Sequence, residues 1–271
     1  MSRTILWIHG WGMSADVWRS AIHTYMPEYR HVFFSYAGCD TAADFHLRLQ
    51  QILQQGEEPW ILAGWSMGGM LAIEAAAAAL AEHAGSDANA NANANADATV
   101  DAEATATAAA LQPRWQLERL VLIGTTLRFV SEDRSLGWPA RIIKRMREQL
   151  QKNLQETLQQ FRHSMFTAQE QEMSAVIKQL DQAQTDFSAS ALAEGLRYLQ
   201  ETDLSGIWPQ CARLRPIWLH GAQDAICPQS AVPASSSAVA THIFSQAGHA
   251  PFLTQPDHFF AQLRGLLYEH S

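Results

Sequence analysis

A chain of 271 residues, 47% of them hydrophobic, has enough apolar material for one large α/β domain or two small ones. Its formal net charge of −8 argues against a general nucleic-acid binder, though not against a local basic patch. The three cysteines, Cys39, Cys211 and Cys227, have no metal-ligand spacing and cannot all pair, so neither a metal site nor a disulfide framework is expected and a reducing compartment is the simple reading.

The opening residues, Met1 to Trp7, lack the apolar region of a signal peptide, and their apolar run is too short to cross a bilayer. A soluble, cytoplasmic protein without a membrane partner is expected. Ile5-Leu6-Trp7-Ile8 then reads as a buried parallel strand, continuously apolar because helices would cover both its faces. It ends in His9-Gly10-Trp11-Gly12, and Ser14 or Asp16 is placed to cap the following helix. His31 to Tyr36 is a second strand, and residues 41–55 present a helical face through Phe45, Leu47, Leu49, Ile52 and Leu53. A third strand, Trp60 to Ala63, leads into an alanine-rich helix. The βαβαβα order implies a parallel sheet with right-handed crossovers.

Residues 84–112 break this pattern. Their Asn-Ala alternation offers no large apolar side chain to offset the entropy of ordering, so a disordered insert is expected. Strand character resumes at Leu117 to Gly124. Residues 138–204 are rich in Gln, Leu and Arg without a strand-like run, which reads as a helical cap. Pro216 to Gly221 and His242 to Ser245 complete the strands, and a closing helix over 257–269 follows Pro256. The expected organisation is an α/β core over 1–126 and 206–271, mostly parallel sheet flanked by helices, with a cap over 127–205.

The chemistry centres on Gly64-Trp65-Ser66-Met67-Gly68, set between a strand and a helix. In that context G-x-S-x-G is a nucleophile elbow: the serine sits on a strained turn, and the flanking glycines leave room for it. A serine hydroxyl needs a base, and the base needs an acid to fix its tautomer. The order Ser, acid, His selects His249 in Gly248-His249-Ala250-Pro251-Phe252 from eleven histidines, His9 and His220 being poorly ordered for the task. Asp224, just beyond a strand end, is the expected acid, with Glu132 and Asp133 as the fallback. Met67 and Trp11 are placed to offer the two backbone amides of an oxyanion hole. The Trp11 indole is either a pocket wall or core.

These motifs, together with Gly221-x-x-Asp224-x-x-x-Pro228, resemble the α/β-hydrolase superfamily. Within it, His9 to Trp18, Gly64 to Gly69 and His249 to Phe252 are most similar to the pimeloyl-[acyl-carrier-protein] methyl ester esterases of biotin synthesis. The resemblance implies cofactor-free hydrolysis of a methyl ester on an acyl carrier protein, through an acyl-enzyme formed on Ser66. It also sets Phe161 in the cap against a family residue that packs on the acyl chain. The sequence departs from the family in three places. It opens directly on its first buried parallel strand, without the family's N-terminal strand pair, and the 84–112 insert has no counterpart. Glu156 and Gln160 stand where the family has carrier-docking arginines.

Charge supplies a separate pointer to the carrier. From Arg128 to Arg162 eight basic residues outnumber four acidic ones, a net +4 in an acidic chain. Arg141, Lys144, Arg145 and Glu148 share helical spacing, so this is either a docking patch for an acidic carrier or an ordinary solvated helix face. Other readings stay open on the same residues: a short-chain carboxylesterase, a thioesterase, a carbon–carbon bond hydrolase, or a hydrolase-like binding module without activity.

Overall fold

The computed structural model describes residues 3–56, 59–93, 115–173, 175, 176, 180, 184–233 and 239–269. Strands apolar along their whole length need cover on both faces, and they take the middle of the sheet. β1 (Thr4–Ile8), β3 (Trp60–Trp65) and β5 (Ile217–Gly221) are buried throughout, as are the last five residues of β4 (Leu117–Ile123). The less covered β2 (Arg30–Phe33) and β6 (Ala240–Phe244) take the two edges. The six-stranded order is β2-β1-β3-β4-β5-β6, and every pairing is parallel.

Register decides where the loops emerge. Ile8 pairs with Gly64, Trp65 with Ile123, Ile123 with Leu219, and Gly221 with Phe244. The carboxyl ends of β1, β3, β4 and β5 are therefore level, and the loops bearing His9, Ser66, Gly124 and Asp224 leave the sheet side by side. Strand order reverses between β1 and β3. In an open parallel sheet, such a switch point opens the crevice in which ligands bind.

α1 (Asp16–Tyr25) and α2 (Ala42–Gln54) are the first two crossovers. Neither Ser14 nor Asp16 is the N-cap of α1; Ala15 holds that position, with Asp16 in the first turn. The second strand is also shorter than its apolar run, ending at Phe33, while Phe34 and Tyr36 remain fully buried beyond it. The Phe34 amide makes the last bond to β1, donating to the Trp7 carbonyl at 2.9 Å, and burial continues beyond it.

α3 (Met67–Asn93) carries the chain out of the elbow and past the expected start of the disordered insert. Alanine is the strongest helix former, and an Asn-Ala alternation does not stop a helix already propagating. The rest of the expected insert, 94–112, lies outside the described residues.

Between β4 and β5 come α4 (Ala140–Lys152), α5 (Leu154–Ser164), α6 (Ala168–Gln171) and α7 (Ala189–Glu201). α4 packs against α5 and α7, and α7 reaches α2 of the sheet layer. α8 (Trp208–Cys211) leads back to β5 and packs on α3, and α9 (Pro251–Thr254) and α10 (Pro256–Glu269) close the chain. Cys39, Cys211 and Cys227 are free and buried. No helix among the described residues is long and apolar enough to cross a membrane.

Candidate active site

Ser66 has φ 56°, a left-handed conformation that costs a non-glycine residue of order 1–3 kcal/mol and persists only where its surroundings over-determine it. They do. A Cβ on Gly64 would lie 2.4 Å from the Gly68 carbonyl oxygen, and one on Gly68 would lie 2.3 Å from that of Ile8. The Ser66 amide donates to the Ile123 carbonyl at 2.9 Å, and the Thr125 hydroxyl donates to the Ser66 carbonyl at 2.7 Å. The turn is thus fixed on β4 at the carboxyl end of the sheet.

The loop after β1 comes up against this turn. A Cβ on Gly10 would sit 3.0 Å from Ser66 Cβ, so Trp11 follows directly beside the serine. Among the described residues, no backbone carbonyl accepts the amide of Trp11 or of Met67. Both side chains lie beneath α7, where a Cβ on Gly195 would be 2.7 Å from Trp11 Cδ1 and 3.3 Å from Met67 Sδ. The Trp11 indole is core: it is buried, donates from Nε1 to the Leu192 carbonyl at 2.8 Å, and meets Phe161 edge to face with centroids 4.9 Å apart. Phe161 is itself buried in that contact.

His249 and Asp224 meet in the interior. His249 Nδ1 lies 2.8 Å from Asp224 Oδ2, and both side chains are fully buried. A carboxylate oxygen accepts, so Nδ1 is the nitrogen that donates to Asp224, and in the neutral imidazole the lone pair falls on Nε2. Nε2 is buried without a hydrogen-bond partner, and so is not bonded to the Ser66 hydroxyl. The other carboxylate oxygen, Oδ1, accepts from the amides of Ile226 and Cys227, each at 2.8 Å. The Trp65 indole donates to the His249 carbonyl at 2.9 Å, joining the histidine loop to the residue before Ser66.

The fallback acids do not reach this site. Glu132 and Asp133 are exposed, and Asp133 is held below the usual carboxylate range by hydrogen bonds from the Ser135 hydroxyl and amide. Of the two rejected histidines, His220 lies 3.5 Å from Asp224 Oδ2. Its Nε2 donates to the Cys227 carbonyl at 2.7 Å and its Nδ1 accepts from Trp218, so it is the neutral tautomer. Burial, outweighing the pull of Asp224, pushes its pKa down.

His9 ties two regions together. Its Nδ1 faces the Gly10 carbonyl at 3.0 Å and its Nε2 faces Asp186 Oδ2 at 3.3 Å. Asp186, just before α7, also accepts from the Ser35 hydroxyl at 2.6 Å and the Tyr36 amide at 3.1 Å. Burial would raise its pKa, but the hydrogen bonds, led by that from His9, bring it below the ordinary value.

The basic stretch divides in two. Arg141, Lys144 and Arg145 are exposed along α4, with Glu148 on the same side. Arg162 is buried instead and donates to the carbonyls of Leu180 and Gly12, where it supports the loop carrying Trp11.

Sequence reasoning missed the half-buried Asp186 and the buried Glu170, two carboxylates of the segment between β4 and β5. Thr167-Ala168-Gln169-Glu170 does read as a capping box, and one is present, but nothing local reveals Glu170's other partners. A hollow of about 460 Å³ lined by Thr4, Arg30 and Trp60 lies at the amino ends of the strands, away from this crevice.

Comparison with known proteins bears on the family and the fold. A sequence model described as "Alpha/beta hydrolase family" matches residues 5–263. The pimeloyl-[acyl-carrier protein] methyl ester esterase of Edwardsiella ictaluri is 27% identical, covering 96% of this chain and 92% of the relative. Its namesake in Vibrio vulnificus (strain YJ016) is 24% identical, with 94% and 91% covered. Among solved structures, an esterase from Exiguobacterium antarcticum superposes with a TM-score of 0.70 at 15% identity, covering 98% of this chain and 92% of that one. That likeness concerns the fold.

Proposed function

The chain belongs to the alpha/beta hydrolase family, and on that premise we propose that it is a serine carboxylesterase acting on the methyl ester of a pimeloyl group carried on acyl carrier protein. The observation that carries the catalytic reading is the buried His249–Asp224 pair, which leaves Nε2 as a free base at the end of the sheet where the strained Ser66 turn projects.

The steps follow from this geometry. Ser66 Oγ attacks the ester carbonyl as His249 Nε2 takes its proton, and Asp224 stabilises the imidazolium. Negative charge gathers on the carbonyl oxygen, towards the amides of Trp11 and Met67. His249 returns the proton to the departing methoxide, releasing methanol and leaving an acyl-enzyme. Water, deprotonated by the same Nε2, then frees the acid and restores Ser66. Entry of substrate closes the gap between Ser66 and Nε2; such contacts are often loose before binding.

Two further observations support the carrier-borne substrate: the names of the relatives, and the exposed row of Arg141, Lys144 and Arg145 on the helices that we take as the cap over the crevice. The test is a hydrolysis panel. Methyl pimeloyl-carrier protein should be cleaved with a much higher kcat/KM than free methyl pimelate or p-nitrophenyl butyrate. Equal values for all three would make the protein a general carboxylesterase.

A further inference from the structure

We propose that Glu170 is a positioning residue for His249, acting through the backbone of the loop that carries the imidazole. This inference rests on the reading of His249 as the catalytic base.

Glu170 is 4% exposed and belongs to the helical segment between β4 and β5, whereas His249 follows β6. Its Oε2 accepts from the Thr167 amide at 2.9 Å, closing the capping box, and also from the Gly248 amide at 3.0 Å. Its Oε1 accepts from the Thr254 hydroxyl at 2.6 Å. One carboxylate therefore grips the chain immediately before His249 and again at the end of α9. The Met165 carbonyl, at the C-cap of α5, accepts the His249 amide at 2.8 Å. Two successive amides of the histidine loop thus donate into the helical segment rather than into the sheet. Only glycine permits the approach, since a Cβ on Gly248 would be 2.4 Å from the Met165 oxygen and 2.8 Å from Glu170 Oε2.

A helix cap alone does not require this carboxylate to be buried. Among the described residues Glu170 has no cationic partner; all three donors are neutral. Burying a charge is costly unless hydrogen bonds satisfy it, and here they converge on the loop that must hold Nε2 opposite Ser66. The seat of the helical segment and the position of the imidazole are therefore coupled. A displacement of about 1 Å at a reacting group is enough to cost about 10²-fold in rate.

The experiment measures turnover per competent site. Sites are counted by complete phosphonylation of Ser66 with a fluorophosphonate, and kcat and KM are measured on p-nitrophenyl butyrate. E170A should lower kcat per site by about 10²-fold and E170Q, which keeps one acceptor oxygen, by about tenfold, with KM little changed. The rate of phosphonylation should fall by the same factor, because the same base serves both reactions. T254V, which removes only the Oε1 contact, should show the smallest loss and decides the matter together with E170Q if E170A fails to fold. Wild-type kcat per site in E170Q and T254V, with the loss confined to site count or Tm, would overturn the inference and leave Glu170 a helix cap. H249A is the control. If it retains turnover, the catalytic reading itself fails; if it is inactive while the Glu170 variants turn over normally, only the positioning role fails.

Discussion

At Ser66 the turn is held by the sheet: Gly64 and Gly68 leave the room, Ile123 and Thr125 at the end of β4 bond its amide and carbonyl, and the Ile8 carbonyl closes on Gly68. At His249 almost nothing local holds the side chain. Its loop is fixed by Glu170 and Met165 from the helical segment, by the Trp65 indole, and by Asp224 beyond β5. A serine turn tied to the sheet should survive rearrangement of the helical segment, whereas an imidazole whose loop is tied to that segment should move with it. The contrast makes the histidine side the adjustable half of the crevice.

The hardest break of this comparison comes at the sheet-held half. Ser66→Ala should lower ester hydrolysis by about 10³-fold or more while leaving Tm nearly unchanged, because the hydroxyl is no part of the turn's support. Gly68→Ala should lose activity and soluble protein together, its Cβ falling 2.3 Å from the Ile8 oxygen. Turnover by purified S66A close to wild type would show that the nucleophile lies elsewhere.

The histidine half is sharpened by its acid. Asp224→Asn should reduce kcat by about 10²–10⁴-fold by upsetting the imidazole tautomer. Glu132→Gln and Asp133→Asn, on exposed side chains, should leave kcat within about twofold, following the rule that exposed substitutions away from special features change little. The reverse ranking in steady-state kinetics would move the acid to the loop after β4.

A smaller effect is expected on the outer face of the helical segment. Changing Arg141, Lys144 and Arg145 to Glu should lower kcat/KM on methyl pimeloyl-carrier protein about tenfold or more at low salt, and raising the salt should narrow the gap. Hydrolysis of p-nitrophenyl butyrate should be unaffected. Equal losses on both substrates would mean that the reversal had disturbed the helices above the site.

The smallest effect lies where the helical segment meets the sheet layer. Glu74 on α3 accepts from His46 Nε2 on α2 at 2.9 Å and from the Tyr198 hydroxyl on α7. The hydrogen bond from His46 to Glu74 raises the histidine's pKa against the opposing effect of burial. Because the folded value lies above the unfolded one, the stabilisation is complete below about pH 6.5 and is lost as pH rises through the folded pKa. Wild type should therefore melt above His46→Gln at about pH 6, and the difference should shrink towards about pH 9. A difference in Tm that grows with pH would contradict the charged pair. Both groups are partly exposed, so the shift should be modest.

Most strands were legible in the sequence because a fully covered strand must be apolar along its length, and Ile5 to Ile8 and Leu120 to Ile123 are. The elbow was legible because its demand is steric: a Cβ on Gly64 would strike Gly68 and Gly69 within the turn, and one on Gly68 would strike the Ile8 carbonyl of β1. His31 to Tyr36 shows the limit of such reading, since the strand ends at Phe33 while burial continues through Phe34 and Tyr36. The helix through residues 84–93 shows another, because alternation says little when half of the residues are alanine.

Local pattern therefore determined the parallel sheet and the glycine-flanked serine turn through burial and sterics, and chain order alone singled out His249 as the candidate base. Which acid faces His249 was decided by the packing of the strands, which levels the ends of β4 and β5 and leaves Asp224 inside and Asp133 in water. The roles of Arg162, Asp186 and Glu170 were decided in the same way. Their partners lie 150, 177 and 78 residues away at Gly12, His9 and Gly248, and a hydrogen bond across such a separation exists only once the helices have settled on the sheet.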